Sequence, residues 1–372
     1  MTNPDVVVLG AGIIGAACAL ELQAQGRKVL LVDHRPPGGG VTSAGMGHLV
    51  ALDETDDELD MCLLSLRRWE EYLSRKGGIA EYTNCGTLWI AEDENQMTHA
   101  VARAEKLSRR GWTASLVSAA ELSKLEPSLR SGLVGAARVI KDGAVFPPAV
   151  AADLARALVR NGGRTLFGET AIAVHDGALS FASGRRIETG EIVIAAGLGV
   201  QHLLPDVPVF PRKGHLAITD RYSGRLSHQV VSMGYGQAAA GENALAVAAN
   251  VQPRLTGQWL VGSCRQDGVS NTDVDPNVLA NVLRSAIAIL PCLAEMRIIR
   301  SWTGMRPATR DGRPLIGLHP SFSKVWLAVG HEGLGVTTAF GTASLLGDLM
   351  LNRIPTLDAS LYCPKRFSHR EF

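Results

Sequence analysis

Residues Val6–Gly15 read VVVLGAGIIG and decide how the first part of the chain folds. The first four residues form a short apolar run rich in β-branched side chains, which is typical of a buried parallel strand. Three glycines follow with the spacing G-x-G-x-x-G. Good helix formers then occupy residues 16–25, and residues 28–33 (KVLLVD) form a second apolar run that ends in a carboxylate. The pattern predicts a strand, a tight turn, a helix and a second strand.

Each glycine of this motif has a mechanical role in binding a dinucleotide. Gly10 allows the tight turn, Gly12 lets a pyrophosphate approach the backbone, and Gly15 allows helix and strand to pack closely. The helix N-terminus offers free N–H groups and the positive end of its dipole to the phosphates. Asp33 can accept a hydrogen bond from a ribose hydroxyl, and an acid there argues against a 2′-phosphate. The alternative is a tight turn without a ligand, which would not need Asp33.

The composition is that of a globular protein without a strong charge bias. The 372 residues are 46% hydrophobic, enough for one large domain or two intertwined ones. Lys and Arg (37) nearly balance Asp and Glu (36), so the net charge of +1 gives no reason to expect nucleic acid. Six scattered cysteines without a C-x-x-C pair predict reduced thiols and no metal site. Reduced thiols indicate a cytoplasmic protein, and no apolar run approaches the length of a membrane span.

The middle of the chain predicts a second kind of structure. Short alternating strands over residues 208–299 (215–220, 229–233, 244–248 and 258–262) indicate a mixed or antiparallel sheet inserted into an α/β domain. Long amphipathic helices are predicted at residues 54–76 and 148–161. The segment 301–317 is dense in Arg, Pro and Gly, which predicts irregular structure.

Two further glycine-rich segments favour a flavin as the ligand. The loop at residues 44–48 (AGMGH) would let backbone come close to a flat ring, with a flexible surface loop as the alternative. The turn at residues 330–335 (GHEGLG) is predicted to open a helix over residues 336–351. The positive end of that helix would stabilise the negative charge of a reduced flavin, which a nicotinamide would not require.

With these motifs in place, the chain resembles the D-amino acid oxidase-like (DAO) family of FAD-dependent oxidoreductases. The resemblance is carried in chain order by VVVLGAGIIGAACAL (6–20), TSAGMG (42–47), Asp142-Gly143 with Pro147, IVIAAG (192–197), Pro211-Arg212-x-Gly214, LVGSCRQ (260–266), GMRPATRDGRPLIG (304–317), GHEGLGVTTAFG (330–341) and Arg366-Phe367. It implies a Rossmann-like, glutathione reductase-like FAD domain at residues 1–80, 142–207 and 310–372. It further implies a substrate domain at residues 81–141 and 208–309, whose sheet covers the flavin.

The resemblance also implies which residues surround FAD. These are Gly10, Ala11, Gly12, Ile13, Ile14, Gly15, Asp33, His34, Gly40, Thr42, Ser43, Ala44, Gly45, Met46, Gly47, Ala171, Ala195, Ala196, Gly197, Gly304, Arg306, Gly330, His331, Glu332, Gly333, Leu334, Gly335, Val336 and Thr337. Some members of the family carry covalent flavin on a cysteine before the G-x-R-P segment. The matching residues here are 302–304 (WTG), so noncovalent FAD is expected.

On the substrate side, the resemblance assigns the substrate carboxylate to Arg306, with a structural arginine as the alternative. A guanidinium suits this role because it can grip a carboxylate bidentately. No general base stands out, since hydride can pass from Cα of a neutral amine to flavin N5 while the protein supplies orientation. His48, Met46 and His331 are expected nearest the ring, although each histidine alone is more often structural.

Three positions depart from the family pattern. Glycine oxidase-like members have an arginine inside the last glycine-rich turn, where this chain has Gly333. A pocket tyrosine of the family is matched by Asn250. Arg265 would reach the pocket and bind a second acidic group, or it would form an ordinary salt bridge.

The run GMGHLVALDE (45–54) resembles the β subunits of heteromeric D-hydroxyproline dehydrogenases and opine oxidases. This resemblance implies oxidation of cis-4-hydroxy-D-proline, D-proline or an opine, with α and γ partner subunits, and membrane association only through them. An iron–sulfur cluster would lie in a partner chain and an FMN at a subunit interface. The alternatives are a stand-alone glycine or sarcosine oxidase that produces H2O2, and a flavin-carrying scaffold subunit.

Overall fold

The computed structural model of the chain describes residues 3–52, 54–75, 81–234 and 245–367. Its strands are β1 (Val6–Leu9), β2 (Val29–Asp33), β3 (His48–Leu49), β4 (Thr87–Ala91), β5 (Ala114–Ser118), β6 (Gly135–Val139), β7 (Gly143–Ala144), β8 (Arg164–Phe167), β9 (Ala171–His175), β10 (Ala178–Phe181), β11 (Arg186–Glu188), β12 (Glu191–Ile194), β13 (Phe210–Thr219), β14 (Gln229–Ser232), β15 (Leu245–Pro253), β16 (Trp259–Gln266), β17 (Ile298–Ala308), β18 (Leu315–Leu318) and β19 (Val325–Val329).

The helices of the described residues connect and cover these strands. They are α1 (Ile13–Ala24), α2 (Asp56–Ser74), α3 (Glu94–Arg109), α4 (Ala119–Leu125), α5 (Pro147–Arg160), α6 (Val200–Leu203), α7 (Pro276–Ile289) and α8 (Ala339–Met350). Short 3-10 helices lie at Val41–Ala44, Gly197–Gly199, Pro291–Glu295, Glu332–Leu334, Ala359–Tyr362 and Pro364–Phe367. None of the helices in these described ranges has both the length and the hydrophobicity needed to cross a membrane.

The first sheet places the N-terminal motif at its centre. Its strand order is β18-β19-β12-β1-β2-β8, with β18 antiparallel to β19 and the other neighbouring pairs parallel. All four residues of β1 are buried, as expected for a strand with neighbours on both sides and helices on its faces. Helix α1 packs between α5 and α8, and its many alanines allow this close approach. The carboxyl ends of the parallel strands therefore open beside the start of α1.

The second sheet is mixed and has the strand order β17-β13-β16-β15-β14-β4-β6-β5. Its one parallel pair joins β14 to β4, and the other pairs are antiparallel. Helix α7 packs on β15 and β16 and encloses a separate apolar core with them. The predicted α/β fold with an inserted mixed sheet is thereby confirmed.

The two large sheets draw their strands from different parts of the chain. Strands of the first sheet fall within residues 1–80, 142–207 and 310–372, and those of the second within 81–141 and 208–309. We keep this division into a cofactor domain and a substrate domain as a proposal. Strands β9, β10 and β11 form a small antiparallel sheet, and β3 pairs with β7.

The structure corrects the prediction for residues 301–317. Residues Ile298–Ala308 form an eleven-residue strand, although Arg, Pro and Gly are frequent there. The strand forms because it pairs with β13 over nearly its full length, from Phe210 opposite Ala308 to Thr219 opposite Ile298. Cross-strand hydrogen bonds thus outweigh the low intrinsic strand preference of these residues. Strand β13 likewise begins five residues before the predicted start at His215. Ala244, the predicted start of another strand, lies outside the described residues.

Candidate active site

The nucleotide-binding end is built by backbone that only glycine can provide. Gly10 has φ +112°, and a Cβ there would overlap the carbonyl group of Ala195. A Cβ on Gly15 would overlap the carbonyl oxygen of Gly10. Gly12 is the N-cap of α1, and the Thr42 Oγ1 atom lies 3.2 Å from the position of its missing Cβ. The start of α1 is therefore held close to both strand ends, as a pyrophosphate site requires.

Asp33 lies at the carboxyl end of β2, and its side chain organises the loop around it. One carboxylate oxygen accepts a hydrogen bond from the Ala11 N–H (2.6 Å) and the other from the Arg35 N–H (2.8 Å). The largely exposed His34 ring lies 3.1 Å from Asp33 Oδ1. The N–H of Glu169 donates to the Asp33 carbonyl (3.3 Å). Ala171, the first residue of β9, follows two residues later. A ribose contact of Asp33, His34 and Ala171 stays a prediction.

The residues present fit an FAD group. Thr42 Oγ1 accepts from the Ile13 N–H (3.1 Å), so it lies at the N-terminus of α1. Apart from each glycine's own chain neighbours, no described residue has an atom within 4 Å of a Cβ placed on Gly40 or on Gly197, which leaves open space beside both backbones. Ser43 donates to the Gly40 carbonyl (2.8 Å) and holds this loop. A cradle of backbone N–H groups with open space before it is the environment that binds a pyrophosphate.

The loop at residues 44–48 runs along the second sheet. The Trp302 indole donates to the Ala44 carbonyl (3.2 Å), and a Cβ on Gly304 would lie 3.0 Å from the Ala44 Cβ. Met46 is 8% exposed and packs with Leu216 and Leu260 in a small apolar cluster under the sheet. The predicted ring contact of Met46 therefore stays a prediction, because the structure fixes only its contact with the sheet.

His48 presents an acceptor nitrogen without a partner. Its Nδ1 is hydrogen-bonded to Gln229 Oε1, while Gln229 Nε2 donates to the Gly143 carbonyl (3.0 Å). Because the amide is oriented by Gly143, His48 Nδ1 carries the proton and Nε2 is the acceptor. Within the described residues, the buried His48 Nε2 and Asn250 Oδ1 have no hydrogen-bond partner. Burial lowers the pKa of His48 to about 4, so the ring is neutral at physiological pH.

The second glycine-rich turn is tied to this loop. Thr337 Oγ1 donates to the His48 carbonyl (2.9 Å) and accepts from the Val50 N–H (3.3 Å). The indole of Trp69 on α2 donates to the carbonyls of Val336 and Thr337, each at 3.1 Å. A Cβ on Gly335 would lie 4.0 Å from Ile14 Cδ1, which brings the turn to the start of α1.

The helix predicted to begin at Val336 begins at Ala339 instead. A 3-10 turn and an irregular turn precede it, since Val336, Thr337 and Thr338 are β-branched and disfavour an early α-helix. His331 on this turn faces the protein interior, with Nε2 2.9 Å from Thr342 Oγ1. Burial lowers the pKa of His331 to about 3, which suits a structural role.

Charged side chains meet where the turn approaches the second sheet. Arg306 on β17 donates to the Cys264 carbonyl (2.8 Å), which fixes its guanidinium. Glu332 Oε1 lies 3.8 Å from Arg306 Nη1 and 3.4 Å from Arg265 Nε. Arg265 also lies 3.7 Å from Glu54. Arg265 thus forms salt bridges, which was one of its two predicted roles.

Gly333 leaves space beside the predicted carboxylate-binding arginine. A Cβ on Gly333 would lie 3.7 Å from the Cδ and Nε atoms of Arg306. The structure therefore brings Arg306, Arg265 and the last turn together. Sequence reasoning missed Gln229 and the pairing of Glu332 with two arginines, and no local signal marks either one. Within the described residues, no group of three or more His, Cys, Asp or Glu could hold a metal ion, and all six cysteines are free thiols.

The arrangement agrees with what is found among known proteins. Residues 5–349 match the model of the family described as FAD dependent oxidoreductase (DAO). Glycine oxidase of Pseudomonas aeruginosa is 29% identical over 378 residues, which cover 96% of this chain and 98% of that protein. Glycine oxidase of Bacillus subtilis is 26% identical over 364 residues, covering 94% and 93% of the two chains.

Solved structures agree with the fold. Glycine oxidase from Geobacillus kaustophilus matches with a TM-score of 0.86 at 24% identity, covering 98% of this chain and 99% of that one. L-proline dehydrogenase from P. horikoshii matches with a TM-score of 0.88 at 21% identity, covering 98% of each chain. At these identities the likeness shows the fold alone.

Proposed function

Because the chain belongs to the DAO family of FAD-dependent oxidoreductases, we propose that it oxidises the Cα–N bond of a small amino acid as a stand-alone oxidase of the glycine or sarcosine type. The observation that carries this proposal is the placement of Arg306, a partly buried guanidinium beside the last glycine-rich turn. The similarity to glycine oxidases supports the stand-alone alternative over the heteromeric one.

When bound, FAD supplies the acceptor for the hydride that leaves Cα. Gly10, Gly12 and Gly15 at the start of α1, together with Thr42, would hold its pyrophosphate, and Asp33 its ribose. The protein's own contribution is to bind and orient the substrate. Arg306 uses one of its five N–H donors on the Cys264 carbonyl, and the guanidinium fixed in this way would grip the substrate carboxylate.

The amine would be oriented by His48 and Asn250. His48 Nε2 and Asn250 Oδ1 are buried acceptors on side chains that interact with each other, and neither atom receives a hydrogen bond from the described residues. A substrate amine offers N–H donors that both could accept. Because the pKa of His48 is lowered to about 4, the ring would position the amine rather than store its proton. Such positioning is a recognised source of rate enhancement.

Substitution of Arg306 tests this proposal. R306M should raise the Michaelis constant for an amino acid about 100-fold, as expected when a charge-assisted bidentate contact is lost, while FAD content stays unchanged. R300M is the matched control, because Arg300 lies on the same strand but stacks near the Trp302 ring. An unchanged Michaelis constant in R306M would contradict the proposal and favour a flavin-carrying scaffold.

A second candidate is a heteromeric dehydrogenase of cis-4-hydroxy-D-proline, D-proline or an opine. The specific observation in its favour is Gly333, where glycine oxidase-like members carry an arginine, together with the GMGHLVALDE run. Electrons would then pass to α and γ partners with an iron–sulfur cluster, and FMN would lie at an interface. The chain expressed alone and with its genomic neighbours separates the two candidates. Dye-linked turnover that rises with partners supports the heteromer, and oxygen-linked turnover by the lone chain supports the oxidase.

A further inference from the structure

Glu332 stands out as a buried acid in a turn otherwise made of glycine, histidine and leucine. Its φ of +45° is in the left-handed region, which is unfavourable for a residue with a side chain. Its side chain is only 10% exposed. One carboxylate oxygen accepts from the Gly333 N–H, and the other, Oε1, has no hydrogen-bond partner among the described residues. A strained backbone and an unsatisfied buried oxygen at one position indicate a functional constraint.

The carboxylate of Glu332 lies between two guanidinium groups. Oε1 is 3.4 Å from Arg265 Nε and 3.8 Å from Arg306 Nη1. Burial alone would raise the pKa of Glu332, but Arg306 and Arg265 outweigh it and lower that pKa. Glu332 is therefore ionised and neutralises positive charge exactly where the second sheet meets the turn.

Other carboxylates also lie near the arginines around this point, including Glu58, whose pKa is raised to about 7 by burial and which interacts with Arg265 and Glu332. Arg212 is bound bidentately by Asp267 at 2.7 and 2.8 Å. Arg265 has two carboxylate neighbours, Glu332 and Glu54, at 3.4 and 3.7 Å. A zwitterionic amino acid adds no net charge to such a site, whereas an amino acid with a second carboxylate adds one negative charge.

We propose that Glu332 is a specificity-determining residue that restricts the site to amino acids with one carboxylate. Glu332 lies closer to Arg265 (3.4 Å) than to Arg306 (3.8 Å), so Arg306 keeps N–H donors for a substrate carboxylate, and the charge of Glu332 repels a second carboxylate. This inference rests on the proposed function, since it assigns the substrate carboxylate to Arg306. Without the charge of Glu332, Arg265 becomes a second carboxylate-binding group.

The substitution E332Q tests the proposal because it removes the charge and keeps the side-chain size. The substrates are sarcosine, which carries a methyl group on nitrogen, and iminodiacetate, which carries a carboxymethyl group there and is otherwise identical. The ratio of kcat/KM for iminodiacetate to that for sarcosine should rise at least about tenfold in E332Q. E332D keeps the charge and should keep the ratio within about threefold. The double variant E332Q/R265Q restores the charge balance and should return the ratio toward that of the unaltered enzyme.

Binding measurements separate this proposal from the proposed function. Dissociation constants of acetate and malonate, taken from the change in flavin absorbance, need no turnover and should show the same tenfold shift toward malonate in E332Q. If no amino acid is oxidised but this shift occurs, the proposed function fails while the role of Glu332 stands. R265Q should shift the kcat/KM ratio toward sarcosine and the binding ratio toward acetate. This variant provides the test if E332Q does not retain FAD. Unchanged ratios in E332Q would overturn the proposal. If E332Q does not retain FAD, unchanged ratios in R265Q would overturn it instead. A shift in E332D as large as that in E332Q would also overturn it.

Discussion

At the scale of single residues, the proposed nucleotide site depends on glycines, which have no side chain to fill the space beside their backbone. A Cβ on Gly10 would overlap the carbonyl of Ala195, and a Cβ on Gly15 would overlap the carbonyl oxygen of Gly10, so a side chain at either position would collide with backbone. Backbone cannot rotate away as a flexible side chain can, so the start of α1 would have to shift. The same shift would displace the N–H groups that we propose bind the pyrophosphate.

We therefore expect G15A to lower the free energy of unfolding by about 2 kcal/mol or more, as for an overpacked core, and to reduce the FAD retained on purification. G199A is the control, since Gly199 has helical φ and ψ angles and its nearest neighbour to a new Cβ is Ala196 at 3.6 Å. Thermal unfolding and flavin absorbance measure both effects. Equal stability of the two variants would contradict the close approach at Gly15.

At the scale of elements, one hydroxyl joins the two glycine-rich segments that we propose border the flavin. Thr337 Oγ1 bridges the carbonyl of His48 and the N–H of Val50. Both residues follow the short 3-10 helix Val41–Ala44. Trp69 of α2 holds the same turn from the other side. The mutual position of loop and turn thus depends on a few buried polar contacts.

The variant T337V keeps the shape of the side chain and removes this bridge. It should cost about 1–3 kcal/mol in the free energy of unfolding, because the buried N–H of Val50 loses its partner. T338V is the control, since the Leu334 carbonyl that Thr338 Oγ1 contacts also accepts from the Thr338 N–H (2.9 Å). Denaturant unfolding compares them, and a cost in T338V as large as in T337V would argue against a specific bridge.

The same scale shows what the sequence can predict. The β1–α1–β2 unit was predictable because its hydrophobic pattern and glycine spacing are local. The long strand β17 was not, because its stability comes from β13, about ninety residues away in sequence. The pairing of Glu332 with Arg265 and Arg306 was equally hidden, since it joins three separate segments and depends on distances that no local pattern encodes.

At the scale of the whole molecule, stability depends on pH through buried acids such as Asp142. Burial raises the pKa of Asp142 from 3.8 to about 7, although its carboxylate accepts from the Ala51 N–H (3.2 Å). In the unfolded chain the pKa is about 3.9, so between about pH 4 and 7 the folded state binds more protons than the unfolded state. The contribution of Asp142 to stability therefore falls as the pH rises through this window.

The variant D142N removes this titration. His48 and His331, whose lowered pKa values make stability rise with pH, titrate equally in both proteins, so the comparison isolates Asp142. The melting temperature of the unaltered protein should fall more between pH 5 and pH 8 than that of D142N. D176N is a suitable control, because Asp176 is largely exposed and its pKa is lowered rather than raised, with contacts to Ser323 and Lys324. Parallel pH profiles for the unaltered protein and D142N would contradict the assigned pKa.

The central claim is that this chain alone oxidises a small amino acid with its FAD. The most direct measurement is anaerobic mixing of the purified chain with glycine, sarcosine, D-proline or cis-4-hydroxy-D-proline while the oxidised flavin absorbance is followed. At least one of these amino acids should bleach the flavin, R306M should slow the bleaching strongly, and the colour should return when oxygen is admitted. A flavin that dithionite reduces but that none of these amino acids bleaches would contradict it.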